Sequence, residues 1–262
     1  MRDLAEQIDQ LSIEYEEKIV ENISALISSV IAILNDNSVK QTITLSDGST
    51  ISKDVVDRRK LRTILNELRK LERKASNMIY DGVLLPLELA IALTVDNLSE
   101  NYDSVVKKAR ITPKTFIDQQ GADGLTLKDR TEFRAMSYTD DLHKRIRQSI
   151  NKGYTVSETI NEVHDVFNGK EWELRRLVTT ETFNAYRKQV GKIAEENELT
   201  WIKIHESFPR HPRRRFHECY KYAHEDKYGK GQGVFKTHDA KIYFPHPQCT
   251  SWLELIELTG EV

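Results

Sequence analysis

Two cysteines in 262 residues are too few to build a disulfide-stapled secreted scaffold. Eleven glycines and six prolines are sparse punctuation for this length, which excludes an all-β chain with many tight turns and favours helices. Net charge is nearly absent as well. The 39 Lys and Arg face 41 Asp and Glu, which is not the high-net-charge mix of a disordered protein. Long hydrophobic runs are also missing. The most apolar stretch, Ile23 to Leu34, is 12 residues, short of the roughly 20 that a spanning helix needs. The N-terminal MRDLAEQIDQ has no basic region followed by an apolar one. A protein that starts in a reducing cytoplasm, with no membrane partner, is expected.

What the chain does have is 39% hydrophobic and 31% charged residues, enough for a buried core under a solvated surface. The expected class is mainly α: long N-terminal helices, a helical middle, and a small, loop-rich α+β C-terminal module. Leu4, Ile8, Leu11, Tyr15, Ile19, Ile23, Leu26, Val30 and Ile33 make one stripe, predicting a helix over 3–34. Ile43 to Leu45, Asp47-Gly48 and Thr50-Ile51 suggest a small hairpin within 41–52. A second helix is expected from Asp54 to about Ala75. It has an apolar face at Leu61, Ile64, Leu65, Leu68 and Leu71. Its other face carries Arg58, Arg59, Lys60, Arg62, Arg69, Lys70, Arg73 and Lys74, opposed only by Asp57, Glu67 and Glu72. That face reads either as a solvated, salt-bridged surface or as a contact for nucleic acid or an acidic partner. A third helix is expected over 85–108, with Pro86 in its first turn. These elements form an N-terminal arm over 1–118.

QQGADG (119–124) is the clearest linker. A helical part is expected over 124–199. Tyr138, Leu142, Ile146 and Ile150 line its first helix, and Lys152-Gly153 stops it. A short helix capped by Thr155 or Ser157 follows, then a further helix through EWELRRLVTTETFNAYRKQ. In that helix Arg175, Arg176, Thr180 and Glu181 read as a structural network. No arginine sits at a favoured spacing from Glu181, so its partner is expected in the C-terminal module, fixing the helix against a strand at Trp201. Ile202 and Ile204 would share one face of that strand. Short strands are expected near Val234-Phe235 and over Lys241 to Phe244.

The last segment, 200–262, changes character. Six of the eight histidines lie between His205 and His246. Cys219 and Cys249, with His217, His224 or His246, could supply a tetrahedral Cys/His set, so structural zinc is the one cofactor the residues admit. The other reading is two small buried cysteines among packed or solvated histidines. Arg210, Arg213, Arg214 and Arg215 form a basic run beside Phe208, Phe216, Tyr220 and Tyr222. It suits either phosphate contact with base stacking or acidic residues of a partner. Histidines 205, 211, 217 and 246 near Glu206 and Glu218 also admit a hydrolytic reading. No GxSxG, HExxH, P-loop or dinucleotide glycine motif occurs.

Three blocks, in order, resemble the phage minor head proteins, the head morphogenesis or Mu F-like family. They are GLTLKDR…LHKRIRQSINKGYTVSETI, LVTTETFNAYRKQ followed by Trp201, and VF…KIYFPHPQCTSWLEL with His246, Pro247 and Cys249. The resemblance covers about half the chain, from Gly124 to Glu257. The stretch HPRRRFHECYKYAH after the Trp strand lacks the family's Asp. The family's final CRC keeps one cysteine, Cys249, with Ser251 in the second place. The resemblance implies a structural, non-enzymatic role inside the phage head near the portal, in head assembly and in handling or ejection of packaged DNA. Its partners would be the portal protein, capsid or scaffolding proteins, and packaged double-stranded DNA. It would occupy the host cytoplasm during assembly and the virion afterwards. The alternative is a metal-dependent nuclease or toxin-like effector built on the His-rich module.

Overall fold

The computed structural model describes residues 1–101, 112–120, 123–209 and 214–259. The protein is mainly α with a small strand-containing C-terminal region. The expected helix end at Lys108, together with Arg210 and Arg213, lies outside the described residues.

The first stripe forms α1, Arg2–Asp36, and the hairpin follows as β1, Ser38–Thr44, and β2, Thr50–Val56, antiparallel across the Asp47-Gly48 turn. The second helix starts later than its charge pattern suggested. Residues 54–56 still belong to β2, and Asp57 caps a short 3-10 turn, Arg58–Lys60, by accepting from the Arg59 amide. Helix α2 then runs from Leu61–Asn101 without a break, so the expected second and third helices are one. Pro86 sits inside it, not in a first turn. An internal proline costs about 3 kcal/mol, but Ile79, Val83, Leu87, Ala90 and Ile91 are all buried on the two sides of it. Continuing the apolar face across the proline outweighs one lost hydrogen bond.

Helix α3, Pro113–Ile117, is short and capped by Thr112. Helix α4, Leu127–Lys152, ends at Gly153, whose φ of +69° is a conformation most side chains avoid. Thr155 and Glu158 form a reciprocal capping box, with Glu158 N donating to Thr155 Oγ1 at 3.2 Å and Thr155 N donating to Glu158 Oε2 at 2.7 Å. The helix it starts is not short. Helix α5, Val156–Glu196, absorbs both expected helices and passes straight through Gly169. A lone glycine costs only about 1 kcal/mol in a helix interior, too little to break a helix buried at Val163, Phe167, Leu174 and Val178.

Strand β3, Trp201–His205, lies between β4, Val234–Lys236, and β5, Trp252–Glu254, antiparallel to both. Ile202 and Ile204 are its buried face. Lys241 to Phe244 is not a strand. It forms a 3-10 turn, Ala240–Ile242, and the sheet takes its third strand from Trp252–Glu254. Helix α6, Glu218–His224, and α7, Ile256–Thr259, complete the module.

Packing divides the chain into two compact units that do not follow the boundaries 1–118, 124–199 and 200–262. One comprises Met1–Glu17, Asp81–Lys128 and Arg175–Val262. Its core joins Leu4 and Ile8 of α1, Ala90 and Leu98 of α2, and Phe183, Tyr186 and Val190 of α5. The sheet residues Ile202, Ile204, Phe235 and Leu253 complete it. The other comprises Lys18–Tyr80 and Asp129–Leu174. It buries Ile19, Ile23, Leu26 and Val30 of α1, Ile64 and Leu68 of α2, and Tyr138, Leu142 and Ile146 of α4. Helices α1, α2 and α5 each contribute residues to both units. Two helices, Arg2–Asp36 and Arg58–Glu100, contain a window long and apolar enough to cross a membrane. Core helices have the same composition, and the buried residues in both follow the helical repeat.

Candidate metal centre

The first unit brings together the four residues that the sequence nominated as metal ligands. Two come from the start of α6. His217 occupies its N-cap position in an extended conformation but makes no side-chain cap, so its ring is free to point elsewhere. Cys219, two residues on, is fully buried. The other two come from the segment before β5, where His246 and Cys249 flank Pro247 and Gln248. Cys249 is also fully buried. Both cysteines are free thiols.

Cys219 Sγ lies 3.0 Å from His246 Nε2, and the His217 and His246 rings are 4.3 Å apart. One ligand atom each from His217, Cys219 and His246 falls within 4.8 Å of the others. Cys249 lies outside that group of three, but its thiol is coupled electrostatically to Cys219 and His246. In tetrahedral zinc, with Zn–S near 2.3 Å and Zn–N near 2.0 Å, neighbouring ligand atoms stand about 3.4–3.8 Å apart. Small side-chain adjustments therefore suffice to seat an ion among the three, and Cys249 would have to move towards them to become the fourth ligand. His246 Nδ1 faces the Pro247 carbonyl at 2.8 Å. A carbonyl only accepts, so Nδ1 carries the hydrogen and Nε2 presents its lone pair to the cluster. Metal-ligating histidines are oriented by this kind of backing.

The electrostatics suit a thiolate. Burial works against the Cys249 anion, but the Cys219 thiol, the Arg187 charge and His246 outweigh it and hold its pKa well below the ordinary value. Cys219 is pushed up, first by its hydrogen bond to Cys249 and then by burial. Of the two coupled thiols, Cys249 is the one whose surroundings favour the anion. Burial disfavours the His246 cation, yet Cys249 and the Pro247 carbonyl raise it on balance, while burial and then His246 lower His217. Ser207 Oγ lies 3.4 Å from Cys219 Sγ and 3.7 Å from Cys249 Sγ, and Ser251 Oγ lies 3.0 Å from Cys249 Sγ. Both sulfurs therefore have hydroxyl neighbours that stabilise negative charge.

Helix α5 holds the segment that carries His246 and Cys249. Arg187, buried completely, donates from Nε to Tyr243 O, from Nη1 to Cys249 O and Ser251 O, and from Nη2 to Asn184 Oδ1, at 2.9–3.0 Å. Burial pulls its pKa down, but a guanidinium starts so high that it stays charged. Thr180 Oγ1 accepts from the Gln248 amide at 2.8 Å and donates to Arg176 O at 2.6 Å. Tyr186 Oη donates to Leu253 O and accepts from Leu253 N, at 3.1 and 3.3 Å. A Cβ on Gly191 would collide with the Tyr243 ring, so glycine is what lets the 240–244 turn approach the helix. The segment 243–253 has little regular structure, and these helix side chains satisfy its backbone in place of a ladder.

The remaining nominated residues go elsewhere. Glu181 is buried. Trp201 packs edge-on to Tyr228 and lies under Lys230 and Lys236, and its amide donates to Glu257. Arg175 and Arg176 are half-buried on α5, and Arg176 meets Thr180 through its carbonyl, not its guanidinium. His224 bonds Tyr220 O and stays out of the cluster. Of the four histidines in the hydrolytic reading, His217 and His246 converge. His205 instead pairs with Glu254 at 2.7 Å and stacks on Trp252, and His211 lies outside the described residues. Arg215 is exposed on the turn before α6 beside Phe216, which is 84% exposed. Arg210 and Arg213 lie outside the described residues, as does the side chain of Arg214.

Sequence reasoning missed Arg187, Tyr186 and Asn184 as the clamp. The signal for two of them was spacing from Thr180: positions 180, 184 and 187 step by four and three along one helical face.

Compared with known proteins, the chain matches no family model, no curated protein and no solved structure.

Proposed function

We propose that this protein is a structural component of a phage head, of the minor head kind, whose C-terminal module is stapled by a zinc ion. The observation that carries the reading is the convergence of His217, Cys219 and His246, whose ligand atoms lie within 4.8 Å of one another, with the Cys249 thiol beside them. With Cys249 drawn in as the fourth ligand, zinc's tetrahedral shell would be filled. A filled shell favours a staple over the nuclease or toxin-like alternative, which needs an open position for water or substrate. The metal would tie the start of α6 to the segment before β5, a cross-link that a small loop-rich module with little core of its own needs.

The minor head assignment rests on the order of the three resembling blocks. Support comes from the way residues of the second and third bond each other: Thr180 with Gln248, Arg187 with Cys249 and Ser251, Tyr186 with Leu253. On this reading the protein acts in head assembly and in handling or ejection of packaged DNA. It works with the portal protein, capsid or scaffolding proteins and packaged double-stranded DNA, inside the head.

The test has two parts. Elemental analysis of the purified chain should find one zinc that Cys249→Ser and His246→Ala variants lose, and duplex DNA incubated with divalent metals should stay intact. Metal-stimulated cleavage that disappears with His217→Ala would reverse the assignment toward the nuclease. Mass spectrometry of gradient-purified particles should find the chain at low copy. Its absence from them would reject the head role.

A further inference from the structure

The exposed face of α2 was left between two readings by its sequence, and the structure separates them. Ile64, Leu68 and Ala75 are buried, which turns Arg62, Asn66, Arg69, Lys70, Arg73 and Lys74 outward. Arg58, Arg59 and Lys60 are exposed on the turn just before. A solvated, self-compensated face would pair these cations with carboxylates. Only two pairs form among the described residues, Arg59 with Asp57 and Lys70 with Glu67, both at 3.0–3.1 Å. Arg58, Lys60, Arg62, Arg69, Arg73 and Lys74 have no carboxylate partner there.

The spacing makes the surplus costly. Arg69 with Arg73 and Lys70 with Lys74 stand one turn apart. Like charges at that spacing destabilise a helix by about 0.2–0.5 kcal/mol per pair. Neighbouring cations lie within the roughly 8 Å over which salt leaves charges coupled. A helix shaped by its own stability would alternate signs here. Arg62, Arg69 and Arg73 also fall on one line, since steps of seven and four residues return to nearly the same angle on a 3.6-residue helix.

We propose that the exposed basic face formed by the Arg58–Lys60 turn and the first turns of α2, residues 58–74, docks the phosphate backbone of duplex nucleic acid. The stretch is about 25 Å long at 1.5 Å per residue, which lies along roughly seven base pairs at 3.4 Å each. Three aligned guanidiniums offer forked donors matched to phosphate oxygens. No aromatic side chain occurs between positions 58 and 74, so the face has no platform for unstacked bases and no single-strand preference. Contact is with backbone charge, independent of base sequence. The proposal stands on the second unit alone and does not depend on the metal centre.

The test is fluorescence anisotropy of the full chain with a mixed-sequence duplex of about 20 base pairs, titrated across roughly 50 to 200 mM salt. The comparison is a triple variant, Arg62→Gln, Arg69→Gln and Arg73→Gln, which keeps helix propensity and is checked by circular dichroism. Three lost phosphate contacts should lower the slope of log K against log salt by about 2.7, at 0.9 per contact, whatever the duplex sequence. A triple variant with the wild-type slope and affinity overturns the proposal. Binding to poly-glutamate as tight as binding to the duplex also overturns it and assigns the face to an acidic protein. An Arg215→Gln variant runs alongside. If only that substitution lowers the slope, DNA contact in the proposed function survives and the α2 surface does not.

Discussion

Replacing Arg187 with methionine tests how the C-terminal segment is held. The guanidinium is fully buried and serves four acceptors: the carbonyls of Tyr243, Cys249 and Ser251 and the side chain of Asn184. Methionine fills most of the volume and supplies no donor. Each buried acceptor stripped of its donor costs about 1–3 kcal/mol, and local relaxation with water entry recovers part of that. Removing one partner from a buried charged network typically costs about 3–5 kcal/mol, which is the expected loss for Arg187→Met. That is a large share of the roughly 5–15 kcal/mol that holds a domain folded. Urea unfolding gives the magnitude, and hydrogen exchange gives the place: amides in 243–253 should lose protection before those of the α5 helix. Arg187→Lys keeps the charge but not the fork, so it should fall between wild type and methionine and provides a folded variant if methionine is too severe. A loss below about 1 kcal/mol with unchanged exchange in 243–253 would refute the clamp.

Two further outcomes follow from buried polar groups in the second unit. The Tyr138 hydroxyl is buried with no hydrogen-bond partner among the described residues, so Tyr138→Phe should leave the urea midpoint unchanged or raise stability by up to about 1 kcal/mol; a clear loss would mean that the hydroxyl has a partner. His143 is held below its ordinary pKa by burial and then by the Arg69 charge, with Asp140 and Glu72 pulling the other way and Arg147 adding to the depression. Its unfolded form therefore takes up a proton near pH 6.5 while its folded form does not, so stability falls as pH drops from neutrality through that value and levels off below the folded pKa. His143→Leu should flatten that part of the pH–stability curve, and a variant curve parallel to wild type would contradict the assignment.

Local pattern carries far in this protein where apolar periodicity is long and unbroken. The α1 stripe, the hairpin around Asp47-Gly48, the Gly153 stop and the inward Ile202 and Ile204 are all legible, because each depends on neighbours within a few residues. Helix ends marked by one glycine or proline are not. Whether Pro86 or Gly169 breaks a helix is decided by the face it would interrupt, and burial on both sides of each residue exceeds the local penalty. The strand at Trp252–Glu254 was invisible for a related reason: three residues carry no period, and its place depends on β3 offering an edge.

The ligand residues could be named from composition, since cysteine and histidine are scarce elsewhere and their chemistry is narrow. Their convergence could not. His217 and Cys219 are separated from His246 and Cys249 by about thirty residues of loop and short strands, a span with no regular geometry to transmit distance. The packed helix beneath, reaching up through Thr180, Tyr186 and Arg187, holds the segment that carries His246 in place, and the fold sets His246 against His217 and Cys219. The basic face of α2 shows the same division. Its charges are written in the sequence, but that only Arg59 and Lys70 find carboxylates among the described residues is a property of the folded surface, because an ion pair is settled by what lies within 4 Å in space.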